Sequence, residues 1–97
     1  MARQRYLVGY DICEPKRLRS VHKVMCSYGD PLQYSVFVCD LDDVERLEMQ
    51  CDLAGIIHHD EDSVLIVDLG PCRTRGEECF TFMGARPVLP SGEAAIV

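Results

Sequence analysis

Apolar positions follow two rhythms along the chain. From Tyr6 to Ile12, YLVGYDI, nearly every residue is apolar, aromatic or β-branched, the pattern of a central strand buried on both faces. The period then lengthens: Leu18, Val21, Met25 and Tyr28 recur at helical spacing, Pro15 suits the first turn, and Gly29 suits a left-handed C-terminal cap. QYSVFVCDL, Gln33 to Leu41, reads as a second strand. Asp42 with Glu45 three residues later marks the start of a second helix running to about Ala54. Its expected inward residues are Val44, Leu47, Cys51 and Ala54, with Glu45, Glu48 and Asp52 outward. A polar turn, HHDED, precedes a third strand from Ser63 to Leu69. Gly70 to Glu78 is expected as a loop holding Arg73 and Arg75, and Glu78 to Met83 as a fourth strand. Pro87 and Pro90 then break the pattern ahead of apolar Ala94 to Val97.

Strand, helix, strand, helix, strand, strand is the order of an α+β sandwich, with two helices on one face of a mostly antiparallel sheet. Ninety-seven residues make one domain, read as residues 1–84 with a tail over 85–97. A chain this short buries only somewhat over half of its unfolded surface, and the uncovered sheet face would be apolar. A symmetric homodimer is the simplest cover.

Composition changes this picture little, whereas the distribution of charge changes it more. No segment is long and apolar enough for a membrane span, and MARQRYLVGYDI lacks the form of a signal peptide, so a cytoplasmic protein is expected. The six cysteines never occur as Cys-x-x-Cys, and buried reduced thiols are expected. The net charge of -6 speaks against generic nucleic-acid binding. Yet residues 1–30 carry six cations against three acids, while the other 67 residues carry four against thirteen. That asymmetry predicts a basic surface on an acidic body.

On a helical wheel, Lys16, Arg19 and Lys23 share the face opposite the apolar stripe. Arg17 stands apart, on the sheet side of the first turn, where its options are a phosphate or the carboxylate of Asp11. Taken by themselves, the three clustered cations read as a solvated face, and Asp11 as a turn acid accepting backbone N–H groups. His22, at the edge of the stripe, reads as structural. Ser35 has no acid or histidine placed to activate it.

Taken in order, YLVGYDI, KRLRSVHK, YG, QYSVFVCDL and DSVLIVDLG resemble the Cas-two family, the small CRISPR-associated adaptation protein that partners the Cas-one integrase. The likeness runs from about Tyr6 to Gly84. It implies a ferredoxin-like fold, a homodimer packed sheet against sheet, and a C-terminal strand swapped onto the neighbouring subunit. It also implies a role in spacer acquisition, with DNA or RNA as partner and a possible Mg²⁺-dependent endonuclease or endoribonuclease activity. By the same likeness Asp11 is the catalytic acid and metal ligand, with one Mg²⁺ shared by two copies across the dimer axis. Lys16, Arg17, Arg19 and Lys23 become nucleic-acid contacts, and Tyr10, Ser35 and Phe37 supporting residues. Pro31 stands where many members carry a basic residue, so that phosphate contact is not carried over. The family's fold also wants two strands where Gln33 to Leu41 reads as one, which predicts a bend or bulge around Gln33 to Ser35.

A single carboxylate holds Mg²⁺ poorly, because this ion favours six oxygen ligands. Two copies of Asp11 with phosphate oxygens would complete such a set, and the metal would polarise the phosphoryl oxygen under attack by water. The alternatives are a non-catalytic DNA scaffold for the integrase, a ferredoxin-like toxin-type ribonuclease, and a metal-handling module built on HHDED. Adjacent residues of a turn rarely converge on one ion, so HHDED is expected to be a solvated loop.

Overall fold

The computed structural model describes residues 2–72 and 80–85. Its elements are β1 (Gln4–Asp11), α1 (Pro15–Tyr28), β2 (Asp30–Gln33), β3 (Val36–Leu41), α2 (Asp43–Ala54) and β4 (Ser63–Pro71). They form one antiparallel sheet in the order β2-β3-β1-β4, so the first strand lies inside, between β3 and β4. Two β-α-β units with this order constitute the ferredoxin-like fold.

Both helices pack on the face of the sheet that carries Tyr6, Val8 and Tyr10. Val21 and Met25 of α1, Phe37, Cys39 and Leu41 of β3, and Met49 and Leu53 of α2 complete that core. Strand alternation sends Leu7, Gly9 and Asp11 to the opposite face. Register places Val36 and Leu65 beside Gly9, and Ser63 beside Asp11. Leu65 is 63% exposed there, although Val38 and Arg5 are fully buried.

Both predicted helix starts form. Pro15 occupies the first turn of α1, where the carboxylate of Glu14 accepts the N–H groups of Lys16 and Arg17, each at 2.9 Å. Glu14 is thereby held below the usual carboxylate range, first through the Lys16 N–H and then the Arg17 N–H. Asp42 and Glu45 make the reciprocal capping box, at 2.8 and 2.9 Å.

Three readings need correction. Gln33 to Leu41 is not one strand: Tyr34 and Ser35 form a tight turn between β2 and β3, at the position where a bend was expected. Pro31 is tolerated because β2 is an edge strand with a register shift between Pro31 and Gln33. The α2 face is also reversed, for Met49 and Leu53 are buried while Val44 and Leu47 are exposed, as are Cys51 and Ala54. The sequence DVERLEMQCDLA carries apolar residues on two opposite stripes, and only one can face the sheet. Gly29 does end α1, but with φ −162° it is extended rather than left-handed.

The fourth predicted strand, Glu78 to Met83, falls partly outside the described residues. Those described, 80–83, make no strand pairing; Phe80 and Phe82 stack on each other instead. The loop cations Arg73 and Arg75, the tail 86–97 and Cys79 lie outside the described residues. Among the described cysteines all five are free. Cys39 and Cys72 are buried as expected, and burial pushes the Cys39 thiol up to about 12, whereas Cys13, Cys26 and Cys51 are exposed. Among the described residues no helix is long and apolar enough to cross a membrane.

Candidate nucleic-acid and metal site

Asp11 closes β1 on the face opposite the helices, directly across from Ser63 of β4. It is exposed, and among the described residues its carboxylate makes no hydrogen bond or ion pair. The residues next to it are fixed from within. Ile12 is buried, and the Cys13 N–H donates to Asp62 Oδ1 at 2.9 Å, which steers the chain from the strand end into α1. Asp11 is therefore a solvent-facing acid on a rigid mount.

Asp62 supplies most of that rigidity. Its side chain is fully buried and accepts the His58 N–H at 2.8 Å, Arg17 Nε at 2.8 Å and Arg17 Nη2 at 3.3 Å. Cys13 Sγ donates to the Glu61 carbonyl at 2.8 Å, and Arg17 Nη2 also reaches Glu61 Oε1 at 3.0 Å. HHDED is thus a solvated loop only over residues 58–61; its last residue pins the β1–α1 connection to the start of β4. Among the described residues no group of three metal-ligating side chains gathers there or elsewhere.

Arg17 stands apart from the other α1 cations, as the wheel predicts, but its partner is Asp62 and not Asp11. The guanidinium holds the Asp62 carboxyl well below the ordinary carboxylate range, reinforced by the N–H groups of His58 and Cys13. A depressed folded-state pKa adds stability above the unfolded value near ~4 and loses it as pH falls below. Urea midpoints of wild type are therefore expected to drop between about pH 4 and pH 2. Asp62→Asn should be less stable at pH 7 and should converge on wild type in acid; two parallel curves would exclude this origin of acid sensitivity.

The six N-terminal cations do not form one basic surface. Arg5 is fully buried and binds Asp40 through Nε at 2.8 Å and Nη2 at 2.9 Å. Arg3 pairs with Glu45 at 2.7 Å. With Arg17 held by Asp62, three of the six cations are engaged by acids from the second part of the chain. Lys16, Arg19 and Lys23 remain: all are exposed on one α1 face, and among the described residues they make no side-chain hydrogen bond or ion pair.

Tyr10, Ser35 and Phe37 come together, with Tyr10 and Phe37 in the core and Ser35 half-buried in the β2–β3 turn. The Tyr10 N–H donates to the Ser35 carbonyl at 3.1 Å, and the Tyr10 and Phe37 rings stack with centroids 6.2 Å apart. The Tyr10 hydroxyl shares a 3.0 Å hydrogen bond with His22 Nδ1, and burial pushes its pKa upward. These residues lock β1 to the β2–β3 turn one position before Asp11. His22 is structural, as expected. Asp62 was not legible as an anchor, because the partners it ties to the first connection, Arg17 and Cys13, lie 45 and 49 positions away.

The fold and this arrangement define a class: small ferredoxin-like proteins that present an exposed strand-end acid beside a helix with one cationic face. The chain matches the family described as CRISPR associated protein Cas2 over residues 4–75. It is 47% identical over 70 residues to the CRISPR-associated endoribonuclease Cas2 1 of Rhodospirillum rubrum, covering 72% of this chain and 69% of that one. With the CRISPR-associated endoribonuclease Cas2 of Geobacter sulfurreducens the identity is 46%, over 68% of this chain and 70% of that one. The crystal structure of Streptococcus pyogenes Cas2 at pH 6.5 superposes with a TM-score of 0.73 at 32% identity, covering 82% of this chain and 99% of that chain. The chain belongs to the Cas2 family.

Proposed function

We propose that the protein acts as a homodimer in CRISPR spacer acquisition, binding DNA or RNA beside a Cas-one integrase, with Asp11 as the centre of a Mg²⁺-dependent endonuclease. The observation that carries the reading is the carboxylate of Asp11, exposed and, among the described residues, unengaged, whereas Asp62 and Asp40 are committed to arginines. The names of the relatives, endoribonuclease in Rhodospirillum rubrum and in Geobacter sulfurreducens, support a nuclease. Leu7, Val36 and Leu65 share the Asp11 face, so a dimer joined through that face would bring two copies of Asp11 toward one axis.

One acid per chain fits Mg²⁺ only as part of a set completed by a second copy and by phosphate oxygens. When bound there, the ion would neutralise charge developing on the scissile phosphate. The chain's own residues do the rest. Lys16, Arg19 and Lys23 hold the backbone by charge, without reading bases. Arg17, spent on Asp62 and Glu61, stiffens the mount of Asp11 and is not the phosphate clamp. A second reading, a scaffold that binds without cutting, is favoured by this meagre donor set.

Asp11→Asn is expected to lower Mg²⁺-dependent cleavage about 10²- to 10⁴-fold while leaving affinity nearly unchanged. Charge reversal at Lys16, Arg19 and Lys23 should weaken binding to any sequence and flatten its salt dependence by about two to three units of slope. Undiminished cutting by Asp11→Asn would remove Asp11 from the chemistry. Spacer integration that survives Asp11→Asn but not the charge reversal would establish the scaffold reading.

A further inference from the structure

Tyr34 is a large aromatic residue that is 73% exposed at the tip of the β2–β3 turn, yet it is not loosely held. Its ring stacks on His22 of α1, with centroids 6.0 Å apart and planes 19° from parallel. His22 in turn packs edge to face with the buried Phe37 ring, centroids 5.5 Å apart, and its Nδ1 bonds the Tyr10 hydroxyl. That hydroxyl also donates to the Tyr34 carbonyl at 3.3 Å. A column of rings therefore rises from the core, Phe37 to His22 to Tyr34, and ends on an aromatic face turned to solvent.

The column emerges beside the cationic stripe. On α1, His22 lies between the buried stripe and the exposed cations, about 60° around the helix from both Met25 and Arg19. Lys23 is its immediate neighbour in sequence. An exposed aromatic face with cations along one side suits a nucleobase with its phosphate, because every base has a face to stack while the phosphate needs only charge. Stacking on His22 already restricts the Tyr34 ring, so less freedom is lost when a base joins it. Bases inside a duplex already stack on their neighbours, so the platform can take only an unpaired one.

We infer that Tyr34, backed by His22, is a stacking platform for an unpaired base of a nucleic acid whose backbone lies along Arg19 and Lys23. This rests on the nucleic-acid reading above and adds to it a preference for single-stranded or splayed ends. Full-length protein would be titrated with a blunt duplex and with the same duplex carrying an unpaired extension that contains 2-aminopurine, in DNA and RNA forms. Wild type and Tyr34→Phe should favour the extended duplex and quench the 2-aminopurine. Tyr34→Leu should lose the quenching and about five- to a hundredfold of affinity for the extended form, with blunt-duplex binding unchanged. Loss in either the DNA or the RNA form supports the platform and names its strand. Equal binding and quenching by Tyr34→Leu would overturn it while leaving nucleic-acid binding intact. A wild type that binds neither duplex would overturn the underlying reading as well, and the two failures are told apart by wild type alone.

Discussion

Asp40→Ala is expected to cost about 3–5 kcal/mol, enough to unfold much of the population of a domain this small. The cause is the guanidinium left behind. Arg5 is wholly buried, and Asp40, 19% exposed at its side chain, meets it with both oxygens. A buried cation that gives up a two-oxygen carboxylate partner loses much of the attraction that offsets its desolvation. Replacing both residues with apolar ones, as in Arg5→Met with Asp40→Leu, should restore most of the loss. Arg3→Ala is the contrast: it removes the exposed pair with Glu45 and should cost under about 1 kcal/mol. Urea midpoints of the four proteins check this order. A single Asp40→Ala variant as stable as Arg3→Ala would mean that the buried pair carries no net load.

Arg5 also marks where sequence reading stops. In MARQRYLV it is one more N-terminal cation, indistinguishable from Arg3, and counting both, with Arg17, toward a basic surface gave six cations where, among the described residues, three stand free of acids. Which cation is buried depends on Asp40, 35 positions away across the β1–β3 register. Arg17 is intermediate. Helical periodicity alone separates it from Lys16, Arg19 and Lys23, but nothing local says that it answers to Asp62. Pairings of this kind are made by topology, and a single sequence carries topology only through its elements.

The elements themselves were mostly legible, because period and caps are local. The continuous apolar run of β1, the Asp42–Glu45 box and the acid at the strand end all stand where the pattern puts them. The β2–β3 turn was only half legible. Two-residue hairpins are usually announced by Asn-Gly or Asp-Gly, whose residues accept positive φ. Here the turn is Tyr34–Ser35, and no described non-glycine residue has positive φ. The α2 face was misread for another reason: two apolar stripes compete on one short helix, and sequence gives no measure of which one meets the sheet.

Gly29 was placed correctly for the wrong reason, and the difference is testable. Its extended backbone is open to any residue, so left-handed strain cannot explain a glycine there. Space can. A Cβ at residue 29 would overlap the Val38 carbonyl oxygen and the Cys39 sulfur, and would press on the Cys39 Cα at 3.1 Å. Two of these are backbone atoms of β3, so relief requires moving the end of α1 away from the sheet. Gly29→Ala is therefore expected to destabilise by about 3 kcal/mol, the upper end for overpacking. Gly55→Ala makes the opposite case at the end of α2. Its φ of −75° is helical, and an added Cβ would meet only the Asp52 and Cys51 carbonyl oxygens at 3.6 and 3.7 Å. Reduced freedom of the unfolded chain then dominates, and Gly55→Ala should be neutral or stabilising by up to about 1 kcal/mol. Opposite shifts in the two urea midpoints would establish that Gly29 is required by the close approach of helix and strand. A neutral Gly29→Ala would show that the end of α1 can yield, and with it the contact that brings α1 onto β3.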